Sequence, residues 1–195
     1  MNRSLIKISV LVFLLVGLSA CGSRGPATTY YVLHAESPVE NQSDKVSLPS
    51  IGVGPISLPV YLENSAIVSR GKNNVLSVSG YHAWAEPLDY AISRVVARGV
   101  ANELNHEDVW SFPWDSRNRP QQQINLKFEQ LDGVRGESLS LRAKWFLYDA
   151  EENRVLSTGE FSEVYPLTSS SYPSYVAAIE KALIALSSDL AKALN

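Results

Sequence analysis

The stretch INLKFEQLDGVRGESLSLRAKWFLY, residues 124–148, carries the strongest structural pattern in the chain. From Ile124 to Phe128, and again from Leu139 to Leu147, apolar residues occupy every second position. Because successive side chains of a β-strand point to opposite faces, this alternation predicts two strands, each with one buried and one solvated face. Asp132, Gly133 and Gly136 are typical turn residues and predict the connection between them.

Shorter β patterns lie on either side of this stretch. Residues 30–35 form a short apolar run, and residues 66–70 and 75–80 flank the sequence GKNN, which predicts a hairpin. The run IGVGPISLPVYL, residues 51–62, is interrupted by glycine and proline, which favours an edge strand or a strand with a bulge. A last strand pattern follows at 155–167.

Two segments show helical periodicity instead. The first, within residues 86–108, has apolar residues at helical spacing: Leu88, Ile92, Val95, Val96, Val100 and Leu104. The second, within 171–195, has Val176, Ile179, Leu183, Leu186, Leu190 and Leu194. We expect one α/β domain of the α+β type, with an antiparallel-rich sheet and two main helices packed on one face. The C-terminal apolar stripe could instead dock onto another protein.

The first twenty residues read as a signal peptide. Arg3 and Lys7 precede or border the apolar block 8–18, and the small residues Ser19 and Ala20 follow it. About 11 apolar residues are too few for a transmembrane helix, which needs about 20.

Cys21, the single cysteine, ends the sequence LSAC, which matches the bacterial lipobox. In such a lipoprotein the cysteine thiolate accepts a diacylglyceryl group, and the signal peptide is then cleaved immediately before the cysteine. We therefore predict lipidation at Cys21 rather than an inert buried thiol. The predicted organisation is a lipoprotein signal peptide at 1–20, a lipidated N-terminus and flexible tether at 21–29, and a folded domain at 30–195. The eight residues from 22 to 29 span at most about 27 Å, so the domain must stay near its membrane.

Charge limits the partners. The chain has a net charge of −3, and loss of Arg3 and Lys7 would leave 15 basic against 20 acidic residues, a net charge of −5 for the mature chain. Nucleic acid is therefore an unfavourable partner, because it needs a basic face. Acyl chains on Cys21, such as palmitate, would attach the protein to its membrane. Gly22 and Ser23, rather than Asp, follow the cysteine, which favours the periplasmic face of the outer membrane.

The sequence gives no indication of catalysis. His34, His82 and His106 lie in separate segments without a neighbouring ligand at metal-site spacing. No nucleophile elbow, P-loop or dinucleotide fingerprint is present. We expect no enzymatic activity, no catalytic residues, no cofactor and no metal.

Residues 82–90, HAWAEPLDY, raise a different question. Trp84, Glu86 and Pro87 precede the first helix, where they could fix its start by packing and charge or contact a partner. Pro87 suits a first helical turn. Four tyrosines are further candidates for a recognition surface, since each combines apolar area with a polar end: Tyr30, Tyr31, Tyr61 and Tyr81.

In their order and spacing, the segments TTYYVL, IGVGPISLPVYLENSAIVSR, WAEPLDYAISRVVARGVANEL, LRAKWFLYDAEENRVLSTGEF and AAIEKALIALSSDLAKAL resemble the ABC-type transport auxiliary lipoproteins. This resemblance implies a periplasmic lipoprotein that acts beside a transport system whose MCE-domain protein carries lipids between the inner and outer membranes. It brings no catalytic residues.

Three functions follow as hypotheses. The first is a non-enzymatic outer-membrane lipoprotein that docks the transport conduit through contact with an MCE-domain protein. The second is a domain that itself binds a lipid or other hydrophobic ligand, which an apolar cavity between helices and sheet would favour. The third, a hydrolase, would need a cleft with a nucleophile and a base. Whether the chain forms a homo-oligomer stays open.

Overall fold

A computed structural model describes residues 25–35, 48–115, 117 and 119–194. Within these residues the chain forms eight strands and two α-helices. They are β1 (Thr29–Tyr31), β2 (Ile51–Ser57), β3 (Ala66–Arg70), β4 (Leu76–Trp84), α1 (Leu88–Leu104), β5 (Val109–Ser111), β6 (Gln122–Val134), β7 (Ser138–Asp149), β8 (Arg154–Pro166) and α2 (Tyr172–Leu194). The expected α/β class is confirmed.

The larger sheet has five strands in the order β5-β2-β6-β7-β8. The predicted strands of residues 124–148 form its antiparallel centre, with Ile124 opposite Leu147 and Leu126 opposite Trp145. β8 extends this antiparallel part, whereas β2 pairs in parallel with both β5 and β6. The alternating pattern thus located the strands but not the parallel pairing on one side.

The remaining strands form a second, smaller sheet, a division that the sequence pattern did not reveal. Its order is β1-β4-β3, and β3 and β4 form the predicted antiparallel hairpin. Both sides of the first half of β2 are already occupied by β5 and β6. After β2, Pro59 and the short 3-10 turn Val60–Leu62 come before the hairpin, which pairs with β1 instead.

Of the two alternatives for residues 51–62, an edge strand or a strand with a bulge, the structure supports the second. Ile51, Gly52 and Val53 have strand partners on both sides, and the register shifts between Val53 and Ile56. Pro55 lies within that shift and beyond the end of the β5 pairing, where its missing N–H removes no ladder hydrogen bond.

Both helices cover one face of the larger sheet, as expected. α1 packs on β2 and β5, and α2 packs on β7, β8 and α1. The six predicted apolar positions of α1 are all buried, and so are those of α2 up to Leu190. The helices approach closely at Gly99, where an added Cβ would lie 2.5 Å from the Ser187 Cβ. The C-terminal stripe is therefore core rather than a docking surface.

Asp132 does not belong to the turn in which the sequence placed it. β6 continues to Val134, and Gly136, with a φ of 84°, lies in the turn that follows. Asp132 is fully buried within the strand. A buried carboxylate needs charged or hydrogen-bonding partners, and distant residues of the chain supply them, as described below.

Candidate functional site

A cleft of about 790 Å³ opens where the end of β2, the loop before β3 and the start of α1 meet. This volume lies within the usual range for ligand sites. The large apolar side chains of its lining are Ile56, Leu58, Trp84, Leu88, Leu126 and Phe146. Its charged lining consists of Glu63, Glu86, Asp89 and Lys127. Because Glu86 is paired with Arg94, the acidic border of the cleft rests on Glu63 and Asp89, which lie beside an apolar surface.

Trp84 reaches the cleft from the last position of β4. Its side chain is buried, and its backbone N–H donates a 2.7 Å hydrogen bond to the Ser65 carbonyl. The next residue, Ala85, donates through its N–H to the Tyr31 carbonyl at 2.8 Å. These bonds fix the segment between β4 and α1 against β1 and the loop before β3. Trp84 is thus a structural wall of the cleft.

Glu86 forms an ion pair with Arg94, two helical turns away on α1. The same guanidinium donates a 3.1 Å hydrogen bond to the carbonyl of Leu33, which follows β1 and is fully buried. Glu86 and Arg94 are both partly exposed, so the pair itself contributes little to stability. It fixes the direction in which the chain enters α1.

The sequence predicted Pro87 in the first turn of α1, whereas the structure makes it the N-cap. Its ψ of 130° is not helical, and its carbonyl accepts a 3.1 Å hydrogen bond from the N–H of Ala91. Asp89 supplies the negative charge within the first turn. All three residues singled out before this helix therefore line one cleft.

The structure separates the four candidate tyrosines into two groups. The Tyr31 hydroxyl is 2.9 Å from His82 Nδ1, and the Tyr61 hydroxyl donates a 2.5 Å hydrogen bond to Asp132. Tyr30 and Tyr81 remain exposed. Only the latter two are available for recognition, a distinction that depends on contacts between distant strands.

Tyr61 belongs to a buried polar network centred on Asp132. Arg70 donates two hydrogen bonds of 2.8 Å to the carboxylate, and Gln130 donates one of 3.0 Å. Burial by itself would raise the pKa of Asp132, but the hydrogen bonds from Arg70, Tyr61 and Gln130 lower it below its ordinary value. Burial, followed by the bond to Asp132, raises the pKa of Tyr61 to about 12. This network holds the turn 60–62 beside the cleft residues Leu58 and Glu63.

No histidine in the described part of the chain lines the cleft. Its hydroxyl groups, Ser57, Ser65 and Tyr148, have no histidine beside them in the lining. The structure places His82 against Tyr31 and Tyr172, and places His106 Nε2 3.1 Å from the Pro49 carbonyl. Among the described residues no cluster of metal-ligating side chains occurs. The arrangement suits binding through apolar and charged contacts.

Residues 31–191 match the family described as ABC-type transport auxiliary lipoprotein component. The chain belongs to this family. Family membership makes it a lipoprotein that serves a transport system, in agreement with the resemblance noted above. No curated protein matches the chain.

Solved structures share the family fold at low sequence identity. A crystal structure of an uncharacterized protein overlaps with a TM-score of 0.68 at 16% identity, over 87% of this chain and 100% of that one. A protein from Xanthomonas campestris overlaps with a TM-score of 0.66 at 18% identity, over 83% of this chain and 92% of that one. Weaker similarity relates the chain to the PelC dodecamer of Paraburkholderia phytofirmans, with a TM-score of 0.41, 14% identity and coverage of 75% and 95%.

The predicted lipidation site, Cys21, lies outside the described residues. The first described residue, Gly25, is four positions after it, and β1 begins at Thr29. In the part of the chain that the structure describes, neither helix combines the length and the apolar character needed to cross a bilayer.

Proposed function

We propose that this chain is an outer-membrane lipoprotein that docks an MCE-type, PqiABC-like lipid-transport conduit and contacts it through the cleft. The match to the transport auxiliary family over residues 31–191 carries the proposal. The lipobox ending at Cys21 supports the anchor, and Gly22 and Ser23 after it support the outer membrane as the location. The partner is an MCE-domain protein that spans the periplasm.

The short tether requires the partner to come to the membrane. Cys21 is eight residues before the first strand, a distance of at most about 27 Å. A domain held this close cannot carry cargo across the periplasm by itself. Docking a conduit that already spans the space is therefore the role that the anchor geometry supports.

The composition of the cleft supports it as the contact site. Apolar side chains such as Trp84 and Phe146 provide area to bury, and Glu63 and Asp89 provide negative charge at the border. Interfaces commonly combine an aromatic centre with charged residues around it. The complementary partner segment is an apolar stretch flanked by lysine or arginine. We propose a binding role without catalysis, consistent with the lining residues.

The cleft can be tested by photocrosslinking in cells. A photoreactive phenylalanine analogue would replace Tyr148, which lines the cleft, and in a matched control would replace Tyr90, an exposed tyrosine of α1 outside it. We expect the variant at 148 to form a covalent adduct that mass spectrometry identifies as an MCE-domain protein, and the variant at 90 not to do so. Equal adducts at both positions, or none with an MCE-domain protein at 148, would contradict the proposal.

The alternative, in which the domain itself carries lipid, has less support. An enclosed cavity between helices and sheet would favour it, but side chains such as Ile92, Val96, Leu183 and Leu186 fill that interface with no exposed surface. The cleft lies instead at the start of α1. Phospholipid that copurifies with the protein in a fixed molar ratio, and that cleft substitutions such as Phe146→Ser remove, would favour this alternative over docking.

A further inference from the structure

The β3–β4 hairpin and the adjacent β1 expose an unusual number of apolar side chains. Five of them form what is here called the hairpin surface. They are Tyr30 at 66% exposed, Val75 at 63%, Leu76 at 37%, Val78 at 56% and Tyr81 at 51%. Exposed apolar patches of this kind commonly mark an interaction site.

The two tyrosines lie beside the β1–β4 pair of the small sheet. Tyr30 lies directly opposite Ala83 in this parallel pair. Tyr81 is two residues before Ala83, within the part of β4 where the register against β3 shifts. The neighbouring Tyr31, His82 and Trp84 make contacts within the domain, whereas Tyr30 and Tyr81 stay exposed. Both exposed tyrosines therefore lie close to the place where β1 pairs with β4.

The direction of β1 places its first residue, Thr29, toward the end of this sheet at which the hairpin turn lies. Because β1 runs parallel to β4 with Thr29 opposite His82, residues before Thr29 approach from the end at which β4 begins, Leu76. Cys21 is eight residues before Thr29, and Leu76 is six before His82. At about 3.3 Å per strand residue, the turn of the hairpin lies within the reach of the tether.

Charge along these segments differs from the rest of the chain. The chain has 20 acidic residues, yet none lies within 22–35 or 64–85. These segments contain Arg24, Arg70 and Lys72, of which Arg70 is paired with Asp132 and Lys72 is exposed in the hairpin turn. Segments without carboxylates contribute no repulsion from anionic phospholipid headgroups, and the exposed Lys72 attracts these headgroups.

We propose that the hairpin surface rests on the phospholipid bilayer that holds the predicted anchor at Cys21. Val75, Leu76 and Val78 enter the interfacial region, and Lys72 lies near the lipid phosphates. Tyr30 and Tyr81 occupy the headgroup level, where tyrosine is enriched in membrane proteins because its ring is apolar and its hydroxyl is polar. This contact would orient the domain, while the acyl chains hold it at the membrane.

A site-specific label tests this orientation. Cys21 is the single cysteine and would be blocked by acylation, so an introduced cysteine can be labelled selectively. Val78→Cys on the hairpin surface and Ser162→Cys, an exposed position of β8, would each carry an environment-sensitive fluorophore in the full acylated protein. Each protein would be reconstituted into vesicles of phosphatidylethanolamine and phosphatidylglycerol, with or without a lipid that carries a quencher in its acyl chain.

We expect the label at 78 to emit at shorter wavelength than the label at 162, and the quencher lipid to reduce its fluorescence strongly. The label at 162 should keep the emission of a water-exposed fluorophore, and the quencher lipid should not reduce its fluorescence. Equal behaviour of the two labels would overturn the proposal. Protection of position 78 from aqueous iodide without quenching by the lipid would also overturn it, since the surface would then be covered by protein. Cosedimentation with the vesicles reports the anchor separately, so failure of the orientation is distinguishable from failure of lipidation.

Discussion

The guanidinium of Arg70 forms two hydrogen bonds of 2.8 Å with the carboxylate of Asp132, which has no exposed surface. Arg70 ends β3 of the small sheet, and Asp132 lies near the end of β6 of the large sheet. The pair therefore joins the two sheets. Tyr61 adds a third bond to the same carboxylate and ties the turn beside the cleft to this junction.

Asp132→Asn should destabilise the domain by about 3 kcal/mol, because removal of one partner leaves a charge that lacks its counterion near the core. Denaturation by urea at neutral pH measures this loss. The matched control is Glu160→Gln on the exposed face, where the carboxylate pairs with Lys144 at 3.3 Å. We expect its effect to stay below about 1 kcal/mol. Equal losses of stability for the two variants would contradict the greater stabilising role assigned to the buried Asp132.

Stability should depend on pH through the same carboxylate. The pKa of Asp132 is lower in the folded chain than the ordinary value of 3.8. Its contribution to the free energy of unfolding is therefore complete above that value and is lost as the pH falls through the folded pKa. Below about pH 4, urea midpoints of the native chain should fall more steeply than those of Asp132→Asn. Parallel acid profiles for the two proteins would contradict this assignment.

Ionisation of Tyr61 should lower the stability of the domain at alkaline pH. Its pKa is raised from 10.0 to about 12 in the folded chain, so its stabilising contribution is complete below pH 10 and is lost as the pH rises toward 12. Tyr61→Phe should reduce the loss of stability over this interval. Circular dichroism during urea denaturation between pH 9 and about pH 12 measures the change. An unchanged alkaline profile would exclude Tyr61 as the responsible group.

Gly159→Ala should be destabilising although alanine is the better strand former. A Cβ at this position would lie 2.6 Å from Cε2 and 2.8 Å from Nε1 of Trp145, the residue opposite it on β7. We expect a loss of about 1–3 kcal/mol, as for other overpacked sites. Gly80→Ala on β4 is the control, since its Cβ would meet no atom within 4 Å. Comparable thermal midpoints for the two variants would contradict the packing argument.

Cys21→Ser should abolish acylation and leave the domain folded, because the position precedes the first strand by eight residues. A metabolically incorporated palmitate analogue should label the native protein and not the variant. With residues 1–20 exchanged for a cleavable secretory signal peptide, the variant should appear in the soluble periplasmic fraction. Retention in the membrane fraction would show that another feature anchors the protein.

The sequence predicted several parts of this structure well because they depend on local periodicity. The alternation from Ile124 to Leu147 specified a buried face for β6 and β7, and the helical spacing specified the buried sides of α1 and α2. Trp84, Glu86 and Pro87, which the sequence singled out before α1, all line the cleft, and their role in partner contact stays a prediction. Their individual contacts were not predictable, because the partners of Trp84 and Glu86 lie at Ser65 and Arg94.

Asp132 shows the limit most clearly. Beside Gly133 it has the composition of a turn, and nothing within its own segment indicates that Arg70 and Tyr61, more than sixty residues earlier, satisfy its charge. The apolar Leu131 was a weak indication that the strand continues, since it is buried and pairs with β7 beyond a register shift after Phe128. Such a shift cannot be located without the opposing strand.

By itself the sequence determined the domain class, the helices, the central strands and the predicted anchor at Cys21, because periodicity and short motifs are properties of neighbouring residues. Tertiary structure decided the division into two sheets, the cleft, the burial of Asp132 and the separation of exposed Tyr30 and Tyr81 from bonded Tyr31 and Tyr61. Each of these depends on which distant strands meet. That choice follows from the packing of the whole core, which no single segment specifies.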